Sequence, residues 1–224
     1  MSAASAPDNG APDNGAPGNS APQWLGNLAA AAATMEVPKA LRPPATGGRE
    51  SAVLVLFGDG PAGPDLLYIQ RSDRLRNHAG QPAFPGGSID DTDASAVAAA
   101  LREAAEETGL DPAGVDVLGT LPELYIWRSH FRVVPVLAWW RAPSAVRPVD
   151  AGEVAAVERI PLSTLAEPGN RFMLRGPSGN LGPAFHCGRM LIWGFTAMLT
   201  DRLLAIGGWE HPWDASATRE LPAG

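Results

Sequence analysis

The chain has 224 residues, 45% hydrophobic and 7% aromatic, which is enough apolar material for a core and excludes global disorder. Its net charge of -7 argues against a groove that binds nucleic acid by neutralising phosphates. No apolar run approaches the roughly 20 residues that cross a bilayer, and one cysteine, Cys187, excludes an internal disulfide.

Taken in order, residues 1–22 carry Ala-Pro-Asp-Asn-Gly twice and then Ala-Pro-Gly-Asn-Ser. Such a segment has nothing to bury and is expected to be a disordered tail. Gln23 to Met35 reads as a short helix with Trp24, Leu25 and Leu28 as its stripe. A linker arm runs on to Gly48, and the main domain is expected over 49–224. Ser51 to Phe57 is a buried strand stopped by Gly58-Asp59-Gly60, and Asp65 to Arg71 is the next. Ser95 to Thr108 is an Ala-rich helix that Asp93 or Ser95 can cap, and Gly109 suits its left-handed stop. Val115 to Leu124 and Phe131 to Trp140 are further strands, and Glu153 to Ile160 a short one. Pro161 then begins a helical turn to Leu165. Met190 to Ile206 reads as one long amphipathic helix burying Leu191, Ile192, Phe195, Met198, Leu199 and Leu203. The tail from Gly207 brings Trp209 and Trp213 over the domain. Strands interleaved with two principal helices indicate an α+β fold, an α/β/α sandwich. Cys187, between His186 and Gly188, reads as a packing residue. One cysteine and no secretory pattern at the N-terminus suit a cytoplasmic, soluble protein.

The chemistry gathers in the Ala-rich helix. At about 100° per residue, Glu103, Glu106 and Glu107 share one narrow face and repel one another. Arg102 points about 100° away around the helix, so a divalent cation is the expected partner. Hard oxygen donors suit Mg²⁺ or Mn²⁺.

This stretch resembles the Nudix box, G-x5-E-x7-R-E-U-x-E-E-x-G-U, where U is a bulky apolar residue. Read from Gly87 the chain has G-x5-D-x8-R-E-A-x-E-E-x-G-L. Asp93 replaces the first Glu, one residue is inserted before Arg102, and Ala104 is smaller than usual. Upstream, Leu67-Tyr68-Ile69-Gln70-Arg71-Ser72, then Arg76, Gly80 and Phe84-Pro85-Gly86-Gly87, resemble the L-L-T-x-R-S-x3-R-x3-G-x3-F-P-G-G motif of the coenzyme A pyrophosphatase branch, with only the strand residues before Arg71 differing in type. Ser129, Phe131, Val133 and Pro135-Val136, and then Trp193-Gly194-Phe195-Thr196-Ala197, are similar to further segments of that branch. His130 stands where the branch usually has Gly.

The resemblance implies a Nudix-type sandwich with a mixed β-sheet and a metal-dependent hydrolase. It would cut the diphosphate of coenzyme A or a derivative into 3′,5′-ADP and 4′-phosphopantetheine. It also implies Glu103, Glu106, Glu107 and the Gly86 carbonyl as metal ligands, with Arg102 as a brace for the loop. Asp90 and Asp93 would hold that brace or a water-bound metal, or would only cap the loop. Glu103 and Glu153 both remain open as general base, and His130 is a weaker third. Arg71, Arg74 and Arg76 form the dense basic cluster, where guanidinium groups suit phosphate. His78 shares that loop, Ser72 and Gly80 shape it, and Phe84 packs beneath. The expected partner is a coenzyme A-like nucleotide, with a homodimer as a family-level expectation. Two readings compete: a Nudix pyrophosphatase of ADP-ribose or dinucleotides, and a Nudix module that binds a nucleotide without cleaving it.

Overall fold

The computed structural model describes residues 20–75, 78–176 and 179–221. The tail expectation for residues 1–22 therefore lies mostly outside the described residues. In chain order the elements are α1 (Gln23–Ala33), β1 (Arg49–Gly60), β2 (Gly63–Arg71), β3 (Pro82–Ala83), β4 (Gly86–Ser88) and α2 (Ala96–Thr108). They continue with β5 (Val115–Thr120), β6 (Leu124–Ile126), β7 (Phe131–Trp140), β8 (Val154–Pro161), α3 (Leu162–Ala166), β9 (Arg171–Arg175) and β10 (Leu181–Cys187). The last are β11 (Met190–Ile192), α4 (Gly194–Ile206) and β12 (Thr218–Glu220).

The main sheet runs β3-β2-β1-β7-β5, with β4 on β1, β6 on β7 and β8 on β2. β1 and β7 are parallel and the other pairs antiparallel, so the sheet is mixed. Side-chain alternation along β1 sends Ala52, Leu54 and Leu56 to one face, where they meet Ala99, Ala100 and Ala104 of α2. The alanines let α2 lie close to the sheet. Val55 and Phe57 face the other way, onto Leu25 and Leu28 of α1 and Leu199 and Leu203 of α4. The sandwich expected from the sequence is the one observed. Full burial of Leu25 or Leu28 contributes about 1.5–3 kcal/mol each, so α1 is part of the core. Trp209 closes this layer edge-on against Trp24, at 4.8 Å between centroids.

Three expectations are corrected. Met190 to Ile206 is not one helix: Met190–Ile192 pairs with Phe185–Cys187 as a strand, and the helix starts only at Gly194. Gly194 has φ 65°, a left-handed conformation that interrupts the apparent periodicity. The strand from Val115 also stops at Thr120 and resumes at Leu124. Pro161 precedes α3 instead of opening it. β9, β10, β11 and β12 form a second sheet, ordered β11-β10-β9-β12, that the sequence reading did not anticipate. No helix among the described residues is long and apolar enough to cross a membrane.

Candidate active site

Ser95 settles the start of α2, its hydroxyl accepting from the Ala98 amide at 3.2 Å, and Gly109 closes the end with φ 71°. This leaves Asp93 free for another task. The Arg102 guanidinium donates from Nε and Nη2 to the two Asp93 carboxylate oxygens, at 3.1 and 2.9 Å. It also donates to Glu103 and Glu106, each at 3.0 Å, and to the Ser88 carbonyl at 3.2 Å. Asp90 stands 3.5 Å away. The helical-wheel expectation that Arg102 cannot relieve the glutamates is thus corrected: its long side chain curls back to two of them. Hydrogen bonding to Arg102 holds the Asp93 carboxyl below the usual range.

The three box glutamates diverge. Glu107 is 8% exposed at its side chain, Glu103 20% and Glu106 60%. Glu103 and Glu107 line a cavity of about 690 Å³, and Glu153 lies on the same wall. Glu106 stays outside it, paired with Arg102. The Gly86 amide donates to Glu107 Oε2 at 2.9 Å, and Arg71 Nη1 stands 3.9 Å from Oε1. Burial outweighs both contacts and pushes the Glu107 carboxyl up to about 7. Burial also raises Glu103, against the pull of Arg102.

These residues fit a hard divalent ion. Two buried carboxylates of raised proton affinity, with a third nearby, mark a place short of positive charge. Among the described residues no three acidic, imidazole or thiol groups are assembled as a cage. Mg²⁺ rarely uses an all-protein cage; it is typically held by one or two carboxylates together with water and substrate phosphates.

Around this acidic end, β2 delivers Arg71, whose Nε is buried without a partner. Ser72 is buried and its hydroxyl accepts the Arg74 amide at 3.3 Å. His78 lines the cavity, 2.8 Å from Gln81 Oε1. Phe84 packs beneath, stacked on Tyr68 at 5.0 Å. Arg74 is exposed and off the cavity wall, and Arg76 lies outside the described residues. His130 is exposed with φ 57°, and Tyr125 holds its Nδ1 at 2.9 Å. Sequence reasoning missed Arg49 and Arg128, which also line the cavity. Their only signal was charge, and both lie far along the chain from the motifs. It also missed the apolar far wall of Leu174, Leu181, Trp193, Phe195 and Met198.

An acidic helix end under a glycine turn, in a sandwich of this topology, suits metal-assisted hydrolysis of diphosphate linkages. The comparisons agree. The NUDIX domain model matches residues 48–176. NudL, an uncharacterized Nudix hydrolase of Escherichia coli (strain K12), is 40% identical over 164 residues, covering 71% of this chain and 83% of that protein. NudL of Shigella boydii serotype 4 is also 40% identical over 164 residues, with the same coverage. The Nudix hydrolase RenU of M. smegmatis shares the fold, with a TM-score of 0.52 at 19% identity over 79% of this chain and 99% of that one. The chain belongs to the Nudix family of hydrolases.

Proposed function

We propose that the chain is a metal-dependent diphosphatase of coenzyme A or its derivatives, releasing 3′,5′-ADP and 4′-phosphopantetheine. The observation that carries this is a single cavity lined by the carboxylates Glu103 and Glu107, by Arg49, Arg71 and Arg128, and by apolar side chains of the second sheet and α4. Coenzyme A has a part to meet each: a diphosphate at its centre, a further phosphate on the ribose to one side, and a long weakly polar arm on the other. The run from Arg71 to Gly87 supports the same branch.

A bound Mg²⁺ or Mn²⁺ neutralises the diphosphate and lowers the pKa of an attacking water. Glu107 and Glu103, with the Gly86 carbonyl and Glu106, are the residues that would hold it. Arg102 aims Glu103 by its 3.0 Å hydrogen bond and opposes the burial that raises its proton affinity. Arg71 donates to the diphosphate. Glu103 and Glu153, both on the cavity wall, are the groups able to take the water's proton.

Turnover of coenzyme A, ADP-ribose and a dinucleoside polyphosphate, each with and without Mg²⁺, tests this reading with products resolved by chromatography. Coenzyme A should be the best substrate and Glu107→Gln should abolish its cleavage. Preference for ADP-ribose would replace the substrate assignment, and equal turnover by Glu107→Gln would refute the metal assignment.

A further inference from the structure

We infer that Arg49, Arg128 and Ser129 form a second anion subsite, which binds a phosphomonoester on the substrate's ribose. Given the coenzyme A reading above, on which the ligand's identity rests, that group is the 3′-phosphate. Arg49, Ser51 and Val53 alternate along β1 onto the cavity side. Val53 lies opposite Gly86, next to the carboxylates, and Arg49 lies opposite Phe131, at the turn between β6 and β7. Four residues of strand separate the two ends by about 13 Å. A nucleotide's ribose and a guanidinium arm can bridge that span together.

The turn is built firmly. The Arg49 amide donates to the His130 carbonyl at 2.8 Å, the Ser129 amide donates to Ile126 at 3.2 Å, and Tyr125 holds the His130 ring. Arg49 packs its guanidinium over the Phe131 ring, 4.2 Å from the centroid. Among the described residues neither Arg49 nor Arg128 makes an ion pair, whereas eight other arginines do. The Ser129 hydroxyl is buried without any hydrogen-bond partner, although its residue lines the cavity. An unpaired buried hydroxyl on a residue that lines the same cavity as two unpaired guanidinium groups is the chemistry of an awaited phosphate. The carboxylates of Glu103 and Glu107 lie toward the Gly86 end of β1, away from Arg49.

Calorimetry of the full chain with adenosine 3′,5′-bisphosphate and with AMP measures the subsite without needing turnover. Wild type should bind the bisphosphate at least about 10-fold more tightly. Arg128→Gln and Ser129→Ala should shrink that ratio toward one. Equal affinities in wild type, or a ratio that both variants leave unmoved, would overturn the subsite. The ratio of kcat/KM for coenzyme A over dephospho-coenzyme A should fall in the same variants. If wild type cleaves neither compound the proposed function fails, and the binding ratio still decides the subsite.

Discussion

Glu107 Oε2 accepts the Gly86 amide at 2.9 Å, joining the last turn of α2 to the glycine turn 21 residues earlier. That one bond sets a buried carboxylate against the cavity, where burial pushes it up to about 7 from 4.5. The sign follows from linkage. The folded state prefers the protonated acid, so the contribution to stability is full below pH 4.5 and is lost as pH rises to about 7. In EDTA, wild type should lose roughly 3 kcal/mol from this group across that window. Glu107→Gln should remove the dependence and be the more stable protein at pH 8, and Mg²⁺ should restore wild type alone. Thermal denaturation against pH checks all three, and a flat difference between the two proteins would refute the burial argument.

The paired glycines should fail in different ways. A Cβ on Gly86 would collide with the Ala52 carbonyl oxygen and stand 2.6 Å from Val53 Cα, both rigid backbone of β1. Gly86→Ala should therefore cost about 1–3 kcal/mol of stability. A Cβ on Gly87 would meet only the Glu103 carboxylate, the end of a side chain that can swing aside. Gly87→Ala should keep its Tm within a few degrees yet lose at least about 10-fold in kcat. Parallel melting and kinetic measurements separate the two, and matching losses would contradict the geometry.

Arg102 touches Asp93, Glu103, Glu106 and Ser88 at once, which a planar fork can do and an ammonium cannot. Arg102→Lys should behave nearly as badly as Arg102→Ala in kcat, each falling by about 10-fold or more, because Glu103 loses its aim. Stability should fall by only about 1–2 kcal/mol, since several of the contacts are near solvent. Full rescue by lysine would show that charge alone matters.

The parts of this molecule with a strong local code were legible beforehand. Ser95 and Gly109 bracket α2, and the apolar runs at Ser51–Phe57 and Phe131–Trp140 fall in β1 and β7. Glu103 and Glu107 follow from helical spacing and reach the cavity, whereas Glu106, on the same wheel, does not. What separates them is the depth at which α2 meets β4, a tertiary quantity. The second sheet escaped because its strands are short and Leu191, Ile192, Phe195 and Leu199 mimic a helical stripe across the break at Gly194. The turn at Gly188, with φ 60°, was the available hairpin signal. Arg49 and Arg128 converge only because β1 and β7 run parallel.

Cys187 sits on β10 facing the core, and burial pushes its thiol up to about 11. A thiol reacts as its thiolate, so native protein at pH 8 should resist a disulfide reagent that labels the denatured chain at once. Titrating free thiol with and without denaturant gives the answer, and rapid labelling of the native protein would show that the strand opens.

Arg171 fastens the second sheet to the rest. Its side chain is 1% exposed, donates to Asp201 on α4 and to Glu210 at 3.1 Å, and faces the rings of Phe185 and Trp213. Burial raises the Asp201 carboxyl in spite of this partner, so losing the arginine strands a half-buried acid. Arg171→Met should destabilise by about 2–4 kcal/mol, and adding Asp201→Asn should recover part of that. Leu174, three residues along β9, is on the cavity wall, so a loosened β9 should raise the KM more than it lowers kcat. Chemical denaturation of the single and double variants gives the coupling, and a double variant no more stable than the single would show that packing, not charge, is what Arg171 supplies.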